Sequence, residues 1–140
     1  MAVTLDQARA AIAATLDAGA KMGLKPLSVA VLDAGGHLIA FERQDGASPG
    51  RYAIAQGKAY GAVMLGMPGS AQMARAEQQA YFMAAVNGAF GGQVVPVPGG
   101  ILIKDGDAVI GAMGVTGDTS DNDEAAGMAG LSVAGLTGAA

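Results

Sequence analysis

The sequence predicts an α+β fold: an antiparallel sheet built from two hairpins, with helices packed against it. Three observations carry this. Two runs of period-two hydrophobicity, 27–43 and 101–115, are each interrupted by a tight turn, Ala34-Gly35-Gly36-His37 in the first and Asp105-Gly106 in the second. Helix-compatible segments flank and separate them. The strands come in adjacent pairs and do not alternate singly with helices, which favours an antiparallel sheet over a parallel one.

Taken in order, residues 4–22 form an amphipathic helix. Thr4 and Gln7 have capping-box spacing, and Leu5, Ala8, Ile12 and Leu16 mark its buried stripe. Gly23 stands where a C-terminal cap belongs. Leu27 to Asp33 is a strand with Leu27, Val29 and Val31 on one face and Ser28, Ala30 and Leu32 on the other; Leu38 to Arg43 returns beside it. Ser48-Pro49 reads as an N-cap and first helical position for a helix reaching Leu65. Ala53, Gly57 and Gly61 form a smooth stripe on it for close packing against a sheet or a neighbouring helix. Gly66-Met67-Pro68-Gly69 breaks the chain, and Ser70 caps a further helical stretch toward Ala89 with Met73, Tyr81, Val86 and Phe90 on its apolar side. Residues 91–100 are irregular, held extended by Pro96 and Pro98. The second hairpin runs into a glycine-punctuated joint, Gly111 to Gly117. A helix then spans about 121–136, with Ala125, Ala129, Val133 and Leu136 facing inward.

The 140 residues suit one domain, 1–140. Charged residues make up only 14%, against about 25% in an ordinary domain, so part of the surface is expected to be covered in a homo-oligomer. The formal charge of −4 argues against a nucleic-acid partner, and no polybasic run points to a membrane surface. There is no cysteine, which removes disulfides, thiolate metal sites and cysteine nucleophiles. No apolar run is long enough to span a bilayer, and the first residues lack a signal pattern, so a cytoplasmic location is the expectation.

Few residues can do chemistry. Charges are scarce, so Arg43, at a strand end, and Lys58, on the apolar helix 49–65, each stand out as binders of an acidic ligand. Gly111-x-x-Gly114-x-x-Gly117 does not have dinucleotide-loop spacing. It could line a nest for a carboxylate or phosphate, although Asp118, Asp121, Asp123 and Glu124 crowd the helix start and serve its dipole instead. The acidic run lacks EF-hand spacing, and no metal site is expected. His37, the only histidine, sits at a hairpin tip. It is a conceivable base or haem ligand, but an exposed tip histidine needs no function.

Several stretches together resemble the GlcG/HbpS-like haem-binding uptake family: VLDAGGHLIAFERQDGA from Val31 to Ala47, Ile54-Ala55-x-x-Lys58-Ala59, Pro98-Gly99-Gly100, and GAMGVTG from Gly111 to Gly117 with Asp123-Glu124 six residues on. The resemblance covers nearly the whole chain in order. It implies a profilin-like sandwich, symmetric oligomers that are often octamers, and haem as ligand, with haem degradation as a family label. Members are scattered among operons for small-acid and diol catabolism. Thr116 stands where the family commonly has serine, which keeps the hydroxyl.

The expected function is an oligomeric small-ligand-binding protein, haem-binding or accessory to small-acid catabolism. Its corner would be built from Gly99, Gly100, Gly114, Val115, Thr116 and Gly117 with Lys58 or Arg43, and could lie across a subunit interface. The alternative is an enzyme for a small hydroxy or keto acid, with Lys58 or Asp123 as acid/base and Arg43 holding the carboxylate. A purely structural assembly module is the third reading.

Overall fold

The computed structural model describes all 140 residues. The order is α1 (Leu5–Lys21), β1 (Ser28–Asp33), β2 (Leu38–Arg43), α2 (Arg51–Leu65), α3 (Gly69–Gln78), α4 (Ala80–Ala89), β3 (Gly100–Asp105), β4 (Ala108–Thr116), α5 (Ser120–Val133) and β5 (Thr137–Ala139). The five strands form one antiparallel sheet in the order β2-β1-β4-β3-β5. The two expected hairpins are therefore present and are joined through β1 and β4. The short β5, just past the stretch read as the last helix and not expected from the sequence, pairs with β3.

Helices cover both faces. On one, α1 and α5 enclose the larger core, in which Ala8, Ile12, Val29, Val31, Ile101, Ile103, Met113, Val115 and Leu131 are buried together. On the other, α2 lies over Leu32, Leu102 and Ala112 through its own Ala59 and Ala62. This explains why β1 is buried on both faces, while β2, at the edge, is half-exposed.

The Thr4–Gln7 capping box forms with both of its hydrogen bonds. Several helix faces differ from expectation, and for one reason. The contact faces are made of the smallest residues, which carry little hydrophobic signal but let backbones approach. In α1 the buried set is Ala8, Ala11, Ile12, Thr15 and Gly19, and Leu5 is exposed. In α5 it is Asp123, Ala126, Gly127, Gly130 and Leu131; the expected Ala125, Ala129 and Val133 face outward. Gly130 lies against Thr15 and Gly127 against Ile101 and Val115.

In α2, Gly57 and Gly61 pack on Val94, Val95 and Gln72 and not on the sheet, and Ala53 is exposed. α2 starts at Arg51, capped by Gly50 without a side-chain bond, so Ser48-Pro49 form the turn before it and not its first residues. Ser70 is not a cap: α3 starts at Gly69 after Pro68, with Ser70 inside its first turn, and the stretch is two helices broken at Gln79, which has φ −139° and ψ 64°. Tyr81, expected on the apolar side, is 73% exposed, and Met83 is buried instead. No helix is long and apolar enough to cross a membrane.

Candidate functional site

α2 sits so close to the sheet that a side chain on Gly100 would overlap the carbonyl of Lys58, and one on Gly114 the carbonyl of Ala55. These two glycines are thus occupied by α2 itself. Gly99, at φ +107°, holds a conformation that side chains disfavour. Its missing side chain leaves room for Lys58, whose Nζ lies 2.9 Å from where a Cβ would stand.

Lys58 passes through that gap. Its ammonium donates to the carbonyl of Val115 at 2.8 Å and to Asp123 Oδ2 at 3.1 Å. The other carboxylate oxygen, Oδ1, accepts from the backbone N–H of Asp118 at 2.9 Å. Lys58 is 2% and Asp123 1% exposed. The pair therefore ties α2, on one face of the sheet, to the start of α5, on the other. Burial pushes the Lys58 ammonium below its ordinary pKa; the Asp123 carboxylate opposes this, and the nearby Arg51 guanidinium adds to it. Thr119 caps α5, its hydroxyl accepting from the backbone N–H of Asn122. Asp118 holds the preceding turn by accepting from the N–H groups of Lys25 and Thr119 and from Asn122, which lowers its pKa to about 2.

The same end of the α2 face carries two residues that the sequence reading did not single out. Arg51 Nη1 donates to Thr116 Oγ1 at 2.7 Å. Ser28, the register partner of both Thr116 and Arg43, is fully buried, and its Oγ has no hydrogen-bond partner. Arg51 was legible in principle: it stands seven residues, or two turns, before Lys58, so both share one helix face. Ser28 gave no signal, because an isolated serine in a strand is unremarkable until its neighbours are known.

The expected site residues thus lie around one end of the sheet. Gly99, Gly100, Val115, Lys58 and Asp123 are brought into contact, while Thr116 meets Arg51. Gly117 abuts Pro26 and Leu27. Arg43 stands two strands from Thr116, across Ser28, with its side chain exposed. His37 is at the opposite end of the β1–β2 hairpin, exposed, with Nδ1 3.2 Å from Asp33 Oδ1. The backbone N–H of His37 is the main group holding the Asp33 carboxyl below its usual range. Glu124 is pushed up by burial and by Asp121, and its Oε1 has no partner. No three His, Asp or Glu side chains converge as a metal set would.

A five-stranded antiparallel sheet enclosed by helices, with Arg51 and Lys58 at one end of one face, defines a small α+β domain with a polar corner beside the helix that follows the first hairpin. Residues 3–132 match the family described as haem degrading protein HbpS-like, and the chain belongs to that family. A double mutant of Streptomyces reticuli HbpS is 31% identical over 95% of this chain and 87% of its own, with a TM-score of 0.81. Two more distant structures share the fold. The PduOC:haem complex is 18% identical over 97% of each chain, with a TM-score of 0.87. Klebsiella pneumoniae protein ORFY is 23% identical over 95% of this chain and 90% of its own, with a TM-score of 0.84. No curated protein matches the chain.

Proposed function

We propose that the protein binds a small ligand at the Arg51–Thr116 corner, that the ligand is haem, and that it does so as a homo-oligomer, an octamer by family resemblance, accessory to small-acid catabolism. The observation that carries this is the set of cations left without acidic partners at that corner, in a chain whose family is described by haem. The PduOC:haem structure supports the choice of ligand, since the same fold holds haem there.

The residues present fit the periphery of a haem. Arg43 and Arg51 supply positive charge. Phe41 and Tyr52, edge to face with ring centroids 4.8 Å apart, supply aromatic surface on the same side of the sheet. When bound, the haem would supply the redox chemistry and the protein its orientation and electrostatics. The largest cleft, of about 540 Å³, is lined by Leu16, Leu24, Pro26, Glu42, Arg43 and their neighbours and has no His, Met or Tyr on its wall, so that cleft alone is not a haem cage. Titration with hemin is the test. A saturable shift of the Soret band at micromolar protein is expected, and an unshifted spectrum overturns the haem reading.

A second reading, an enzyme for a small hydroxy or keto acid with Lys58 or Asp123 as acid/base, is favoured by the depressed pKa of Lys58. Against it, the ammonium and both carboxylate oxygens are engaged inside the protein. A folded Lys58→Met variant that retained full turnover of such an acid would remove Lys58 from that role.

A further inference from the structure

We propose that Arg43, Arg51, Ser28 and Thr116 form a carboxylate-binding subsite at the end of the α2 face. This rests on the ligand-binding reading above and specifies the group by which the ligand is held.

Register places three of the four together, and a hydrogen bond brings in Arg51. Ser28 stands opposite Arg43 on one side and Thr116 on the other. Cross-strand partners project from the same face of a sheet. That face is the one under α2: two residues along each strand, Gly114 lies beneath Ala55 and Phe41 packs on Tyr52. Arg51, in the first turn of α2, reaches down onto Thr116.

The charges are then unbalanced. Acidic residues outnumber basic ones twelve to eight in the chain, yet neither Arg43 nor Arg51 forms an ion pair. Lys58, close enough to Arg51 to feel its charge, already holds Asp123. The start of α2 has no acid in its first turn and no side-chain cap, so the positive end of its dipole is uncompensated. Between the two arginine positions lies Ser28, with a buried hydroxyl that satisfies nothing in the protein. A buried unpartnered hydroxyl is costly, and the great majority of such groups have a partner. An anion seated at this corner answers all of these at once. Guanidinium pairs select planar, bidentate acceptors, which makes a carboxylate the fitting group. It could come from a haem propionate or from a free small acid.

The variants are Arg43→Gln, Arg51→Gln, the double variant and Ser28→Ala. The amide of Arg51→Gln can still reach for Thr116, and circular dichroism checks that each variant is folded. The probes are hemin, hemin dimethyl ester, and glycolate followed by the arginine Nε–Hε resonances. We expect the double variant to bind hemin about tenfold more weakly or worse, with the ester insensitive to the substitutions. Glycolate that shifts the arginine resonances while hemin fails to bind supports the subsite with a free acid as its source and removes haem. Hemin that binds the double variant as tightly as the wild type, with the ester matching the acid and glycolate shifting nothing, overturns the subsite and leaves haem binding standing. No response to any probe overturns both.

Discussion

Lys58 joins the two helical layers at a single atom. Its Nζ meets a carbonyl of β4 and a carboxylate of α5 from a helix on the other side of the sheet. A buried pair of this kind is of modest net value, but breaking it leaves a charge without a partner. Lys58→Ala or Asp123→Ala should therefore each cost about 3–5 kcal/mol in urea unfolding. Replacing both by apolar residues of similar size should cost less than the sum of the two, which a double-mutant cycle would reveal. Asp118 gives the residue scale its pH dependence. Its pKa in the folded protein, about 2, lies below the ordinary carboxylate value near 3.8. The folded state therefore binds fewer protons than the unfolded chain between those values. Asp118's contribution to stability is complete above about pH 4 and is lost as the pH falls toward 2. An Asp118→Asn variant should show a shallower loss of stability across that window. A loss as steep as the wild type's would assign the acid sensitivity to other groups.

At the scale of elements, α2 and the sheet are in contact through backbone. Gly114 and Gly100 have no room for a Cβ, because carbonyls of α2 occupy it. Gly114→Ala must push α2 outward along its length, and it is expected to lower the melting temperature steeply and to expose Lys58. Gly88, in α4, has nothing near the position of an added Cβ. Gly88→Ala should then stabilise by about 0.5–1 kcal/mol through helix propensity alone. The two substitutions are the same chemically and opposite in expected sign, and one pair of thermal melts compares them. The elements themselves were largely legible. Both hairpins and the first helix followed from turn chemistry, alternation and a capping box. The inward faces of α1 and α5 were not, because Ala, Gly and Thr give no hydrophobic contrast by which to choose a side.

For the whole molecule, the shortage of charge has a location. From Gln78 to Ile103 the chain carries no charged residue, and α4, which lies in this stretch, buries only Met83. A helix apolar on all sides is normally covered. Under the proposed assembly, static light scattering should give a multiple of the 13.7 kDa chain mass, and Tyr81→Glu should lower it. A wild-type mass of 13.7 kDa would count against the assembly.

Local order determined much of this protein from sequence alone. The α+β class, the hairpin pairing and the family follow from periodicity, turn residues and motif order, all of which are properties of neighbours along the chain. The sequence also grouped Thr116 and the glycines at one corner with Lys58 or Arg43, and brought in Asp123 only as an alternative acid/base in the enzyme reading. Only the tertiary structure decided their parts. It showed Lys58 and Asp123 holding each other, glycines 100 and 114 filled by α2, and Arg51 and Ser28 standing beside Thr116. Those outcomes depend on the register of β1 between β2 and β4 and on the distance of α2 from the sheet. Both are set by contacts between residues far apart in the chain, which no local pattern records.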